Sequence, residues 1–135
     1  MPDALHLRIV TPTRLLFDER VREVSGPGTL GEFGALPDHI TFLTALEIGT
    51  LRYRIDGDMQ RVAIRGGFAE VVDNVMTILA DDAAFPQEIN LEAAGADLAA
   101  ADAQLRDLSP LDPSFPAAEA NRRWAQARID VRTGR

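Results

Sequence analysis

Gly26-Pro27-Gly28-Thr29-Leu30-Gly31-Glu32-Phe33-Gly34-Ala35-Leu36-Pro37-Asp38-His39 is the stretch on which the reading of this chain turns. Glycine and proline at this density mean tight turns and close backbone approach. Leu30, Phe33, Ala35 and Leu36 are apolar, which excludes a flexible linker. The stretch reads as a compact crossing between strands, with Glu32 and His39 as its polar points. Gly26, Gly28 and Gly31 also spell G-x-G-x-x-G, but a dinucleotide site needs a strand before that motif and a helix opening on it. Pro27 inside the motif, and Gly34 and Pro37 after it, remove that context.

Around this crossing the chain reads as short strands from residue 4 to residue 82. Leu5, Leu7 and Ile9 alternate with His6, Arg8 and Val10, the pattern of a half-buried strand. Leu15-Leu16-Phe17 begins a second strand that Val21 and Val24 continue. Leu51, Tyr53 and Ile55 alternate with Arg52, Arg54 and Asp56. Asp56-Gly57-Asp58 signals a hairpin into Met59 to Arg65. Phe68 to Val72 and Val75 to Leu79 flank a second tight turn at Asp73-Asn74. Many short strands with turn signals between them predict a sandwich or barrel.

Past Asp82 alanine dominates. Asn90 is placed to cap a helix with Glu92 in its first turn. Leu91, Ala94, Leu98, Ala101, Leu105 and Leu108 form a seam at three- and four-residue steps, and Pro110 and Pro113 end it. Ser114 is placed to cap a second helix with Pro116 in its first turn and a seam of Ala117, Ala120, Trp124, Ala127 and Val131. Two helices joined by a short loop form an antiparallel hairpin. The predicted organisation is a β-sandwich over residues 1–84 and a helical hairpin over residues 85–135.

The charges narrow the function. A net charge of −7 over 135 residues argues against a nucleic-acid partner. Every basic residue is arginine and cysteine is absent, so neither disulfides nor thiolate metal sites are expected. With two histidines and no nucleophile motif, neither a metal site nor a catalytic centre is expected, and Asp81-Asp82 reads as a charged strand end. Neither a leader peptide nor a membrane span is predicted, so a soluble intracellular protein is expected. The first helix is acidic, while the second carries Arg122, Arg123, Arg128 and Arg132. Mutual pairing between the helices and a basic face for an acidic partner are both open.

Two blocks carry a family resemblance. Gly31 to His39, GEFGALPDH, resembles the G-E-F-G-V-L-P-G-H signature of the epsilon subunit of bacterial F-type ATP synthases, and the likeness runs on through Phe42 to Leu46 and Gly49 to Leu51. Gly66-Gly67-Phe68-Ala69-Glu70-Val71 and then Val75 to Asp81 resemble the same family's G-G-F-x-E-V and V-T-I-L-A-D. The resemblance implies a sandwich of about ten strands followed by a helical hairpin. It implies a non-catalytic stalk subunit that binds the gamma subunit and the c-ring and meets the alpha and beta subunits, touching the membrane only through the complex. Its place would be the cytoplasmic face of the bacterial plasma membrane.

By the same resemblance, Glu32, Phe33, Leu36, Asp38 and His39 fall on the ring-facing loop. Asp38 stands where the family has glycine. The hairpin, with Arg122, Arg123, Trp124 and Arg128, falls where the family's hairpin can extend along gamma and block ATP hydrolysis. Trp124 can instead anchor the hairpin on the sandwich. Family members that bind ATP carry I/L-D-x-x-R-A at the start of the first helix. Here Ile89-Asn90-Leu91-Glu92-Ala93-Ala94 has Asn90 for the acid and Ala93 for the arginine, so ATP binding is expected to be weak or absent, and no other cofactor is implied. The rival from the residues alone is a free-standing ligand-binding sandwich with a helical tail.

Overall fold

The computed structural model of the chain describes residues 4–38 and 40–135. Eight strands come first: β1 (Leu5–Thr11), β2 (Arg14–Val21), β3 (Glu23–Gly28), β4 (Gly31–Ala35), β5 (Phe42–Ile55), β6 (Asp58–Val72), β7 (Val75–Ala80) and β8 (Ala83–Ala84). A 3-10 turn (Pro86–Glu88) leads to the helices α1 (Leu91–Arg106) and α2 (Phe115–Thr133). The strands run β2-β1-β7-β6-β5-β3-β4, with β8 on β6. All neighbours are antiparallel except β1 and β7.

Eight strands stand where about ten were expected, because β5 and β6 are long and continuous. They hold one register from Phe42↔Val71 to Ile55↔Asp58. Met59 to Arg65 and Phe68 to Val72, read as two strands, are one. The predicted second strand is instead two, since β2 ends at Val21 and β3 begins at Glu23. The glycine-rich crossing is itself mostly a hairpin: β3 and β4 pair from Val24↔Ala35 to Gly28↔Gly31. A Cβ on Gly26 would stand 2.8 Å from Leu51 Cδ1 and 2.9 Å from Phe33 Cζ, so any larger residue there would displace both side chains.

The turn from one layer to the other sits at Gly66-Gly67. Both have positive φ, 67° and 106°, a region that L side chains avoid. A Cβ on Gly67 would lie 1.9 Å from the Leu79 carbonyl oxygen. Here the in-out alternation changes phase. Val62 and Ile64 point into the sandwich before the corner, and Ala69 and Val71 after it. The partner strand changes phase with it: Leu46 is inside on one side, Leu51 and Tyr53 on the other. One core therefore joins Leu5, Leu7 and Ile9 with Val24, Leu51, Met76 and Ile78. Burial, and then the nearby Glu19 carboxylate, push the Tyr53 phenol up to about 12.

The helices pack on the outside of the sheet. Ala63, buried on the outward side of β6, joins Ile89, Ala94, Trp124, Ala127 and Val131 in a second core, with Ile48 and Ala84 against it. Asn90 caps α1, its side-chain oxygen accepting from the Ala93 N–H at 2.9 Å. Ser114 occupies the cap position of α2 without making a side-chain cap. Its hydroxyl and N–H donate instead to the Asp112 carboxylate, at 2.7 and 2.8 Å, which hold that carboxyl below its usual range. The buried face of α2 is Ala118, Trp124, Ala125, Ala127 and Val131. Ala117, expected on the seam, is exposed. On α1 only Ala94 and Ala101 are buried; Leu98, Leu105 and Leu108 are partly buried and Leu91 is exposed.

Candidate functional site: three surfaces of the chain

The residues assigned to the crossing do not share one environment. Phe33 and Ala35 point inward from β4, and Phe33 packs on the core with its ring centroid 5.8 Å from that of Phe42. Glu32 and Leu36 point outward. Glu32 lines a cleft of about 300 Å³ with Pro27, Arg52 and, from α2, Arg122 and Arg123. Leu36 and Asp38 are exposed at the end of the sandwich, beside Ile40. Asp38 has φ 64°, the left-handed conformation in which glycine is easiest and aspartate tolerated. His39 lies outside the described residues.

A second surface was not foreseen from the sequence. The register places Ala45 beside Phe68, Phe68 beside Leu79, and Leu79 beside Val10. All four side chains stand on the outer face of the sheet, where Phe68 is 53% and Leu79 50% exposed. Val10, Pro12, Phe68 and Leu79 line a surface cleft of about 380 Å³. Such an apolar row crossing three strand boundaries marks an interaction surface, unlike a lone exposed leucine. The signal was present in Gly66-Gly67, whose phase change turns Phe68 outward, but a period-two reading continues through it. Polar neighbours flank the row: Arg8 pairs in register with Asp18, and His6 is bonded to Asp18.

The third surface is the hairpin, where Arg122, Arg123 and Arg128 are engaged. Arg122 Nε donates to Asp102 at 2.9 Å, and Arg128 Nη2 to Asp97 at 3.0 Å. Arg128 also lies 5.4 Å from the centre of the Trp124 ring. Arg123 pairs with Glu47 of β5 at 3.2 Å, and Arg65 of β6 donates to Asn121 at 2.8 Å. Helix-to-helix pairing, one of the two expected uses of the arginines, is present, and Arg123 adds an acid of the sandwich itself. Trp124 is only 8% exposed, against the sandwich.

Among the described residues no group of three or more His, Cys, Asp or Glu side chains could hold a metal, and no helix is long and apolar enough to cross a membrane.

Residues 4–86 match the family described as ATP synthase, Delta/Epsilon chain, beta-sandwich domain. An ATP synthase epsilon chain of Geotalea uraniireducens is 42% identical over 131 residues, covering 97% of this chain and 95% of that one. An ATP synthase epsilon chain of Nitratidesulfovibrio vulgaris (strain Miyazaki F) is 51% identical over 94 residues, 70% of each chain. Among solved structures, a chain of the Euglena gracilis mitochondrial ATP synthase, imaged as OSCP/F1/c-ring, superposes with a TM-score of 0.80 at 25% identity. That match covers 94% of this chain and 80% of the other.

Proposed function

The chain belongs to the family of ATP synthase epsilon chains, and on that premise we propose that it is the rotor subunit seated between the gamma subunit and the c-ring. It is a non-catalytic part of the complex, peripheral to the membrane, and its place is the cytoplasmic face of a bacterial plasma membrane. Proton flow turns the ring, and a rigid sandwich held at both ends passes rotation to the stalk. Catalysis belongs to the alpha and beta subunits.

The observation that carries this reading is the apolar row Ala45–Phe68–Leu79–Val10. None of its residues belongs to the core around Ala63 where the hairpin is docked, and Phe68 and Leu79 stay half exposed, so gamma reaches the row with the hairpin in place. Phe68 and Leu79 are already about half buried, so covering the rest supplies roughly 1.5–3 kcal/mol before the costs of association. Leu36, Asp38 and the loop around them take the ring contact. The hairpin is the regulatory element that restrains hydrolysis when it leaves the sandwich.

The test is association with gamma. Phe68→Glu puts a charge in the centre of the row at an exposed position, so the fold should survive. Binding to gamma, measured by sedimentation of the purified pair, should weaken by at least about tenfold, since an unpaired charge is buried. Unchanged binding would remove gamma from this face. A wild-type chain that stays monomeric beside gamma would overturn the rotor reading.

A further inference from the structure

The β6–β7 turn is two residues long, because Val72 pairs with Val75. Its residues Asp73 and Asn74 both have positive φ, 49° and 64°, as a type I′ turn requires. Aspartate and asparagine serve that purpose in many hairpins. Here the asparagine side chain does more. Asn74 Oδ1 accepts the backbone N–H of Asp38 at 2.8 Å. Its Nδ2 donates to the Ala4 carbonyl at 2.7 Å. The Asn74 backbone carbonyl also accepts the His6 N–H at 3.1 Å. One residue thus ties the β4–β5 loop, the start of β1 and the β6–β7 turn together at the end of the sandwich.

The loop held this way carries exposed apolar groups. Leu36 is 58% and Ile40 78% exposed on either side of Asp38, and Leu43, at the start of β5, is exposed as well. A contact that transmits torque needs such groups held in a fixed place, because a loop that yields dissipates the force before the sandwich turns. Turn residues alone do not demand an amide. Glycine would satisfy both positive φ values, yet only a side chain with an acceptor and a donor makes both of these bonds.

We propose that Asn74 is a positioning residue for the ring contact: its amide fixes the Leu36–Asp38 segment against the sandwich, and coupling of ring rotation to the stalk depends on that fixation. The inference rests on the rotor reading above. Asn74 acts through the loop and does not itself touch the ring.

The experiment uses the whole complex in membrane vesicles at physiological salt, with the chain as wild type, as Asn74→Gly and as Asn74→Asp. Glycine keeps the turn and deletes the amide. Aspartate keeps an acceptor toward Asp38 and loses the donor to Ala4. Hydrogen exchange on the isolated subunit reports the fixation. In Asn74→Gly the Asp38 amide should exchange about tenfold faster, while amides of β7 such as Met76 stay as protected as in wild type. Proton pumping per ATP hydrolysed should fall about threefold, with subunit content and hydrolysis unchanged. Asn74→Asp should recover both the Asp38 protection and the pumping, which a merely structural role in the turn would not produce. Wild-type pumping in Asn74→Gly, or a pumping loss with Asp38 still protected, would overturn the proposal. So would an Asn74→Asp chain that regains protection without pumping. A wild-type chain that never enters the complex would overturn the rotor reading and this inference with it, a failure distinct from one confined to the variants.

Discussion

Glu32 faces a different neighbourhood from the rest of the loop to which it was assigned. It stands on the outward side of β4 in a cleft lined by Arg52, Arg122, Arg123 and Asp130. Charge reversal there has two consequences that must be separated. Glu32→Arg puts a fourth cation in the cleft and pushes on α2, whereas Glu32→Gln removes the charge with little change of shape. We expect Glu32→Arg to lower proton pumping per ATP hydrolysed while the isolated subunit stays folded. If the side chain meets the ring, Glu32→Gln lowers pumping as well. If it only tunes the hairpin, Glu32→Gln leaves pumping unchanged and the effect belongs to α2. Pumping and assembly unaffected by either change would exclude Glu32 from the coupling surface.

At the scale of the element, α1 and α2 are held on the sheet by few large groups. The buried seam is mostly alanine, which removes little area from water. Trp124 is the exception, buried among Ala63, Ile89, Ala94 and Val131. Truncating a well-buried tryptophan to alanine costs about 3–5 kcal/mol, a large share of what such a hairpin has. Trp124→Ala should therefore raise hydrogen exchange throughout α1 and α2 while the β7 amides keep their protection. Exchange rising equally in strands and helices would mean that the hairpin and sandwich unfold as one unit. The start of α1 carries a second expectation. Asn90 is occupied in capping the helix, and Ala93 offers only its N–H to that cap. With neither acid nor arginine there, we propose that the hairpin does not bind ATP at useful affinity. A calorimetric titration of the isolated subunit giving a micromolar dissociation constant would refute this.

Across the whole molecule, the link between the two units decides how the regulatory reading is tested. Ala83 and Ala84 pair with Ile64 and Ala63, so β8 is still sheet. Phe85 packs on the sandwich core, its ring 6.5 Å from that of Phe17, and its N–H is held by Glu88 at 3.0 Å. Cutting after Asp82 would strip these contacts together with the helices. A cut after Glu88 leaves them in place and removes α1 and α2 alone. The complex with the chain ended at Glu88 should assemble, make ATP, and hydrolyse ATP faster than the intact complex. Equal hydrolysis with and without residues 89–135 would make the hairpin a structural tail.

The sandwich, the hairpin and the family were legible in local pattern. Alternation in β1, turn residues at Asp56-Gly57 and Asp73-Asn74, the Asn90 cap and the three- and four-residue seams each depend on neighbours a few positions apart, and such spacing is written in the chain. Other features were not. The buried face of α2 kept Trp124, Ala127 and Val131, which meet Ala63 and Ile48, but took in Ala118 and Ala125 and left Ala117 exposed. The arginines of α2 found Asp97, Asp102 and Glu47 only once the hairpin was docked. Phe68 became an exposed residue only where two positive-φ glycines inverted the alternation of β6 and the register set Leu79, Val10 and Ala45 beside it. By itself the sequence determined that the first part of the chain is strand and the last part helix, since those follow from short-range sterics and periodicity, but not where each strand begins and ends. The tertiary structure alone decided which side chains share a surface, because that depends on pairings between residues tens of positions apart, which no local pattern contains.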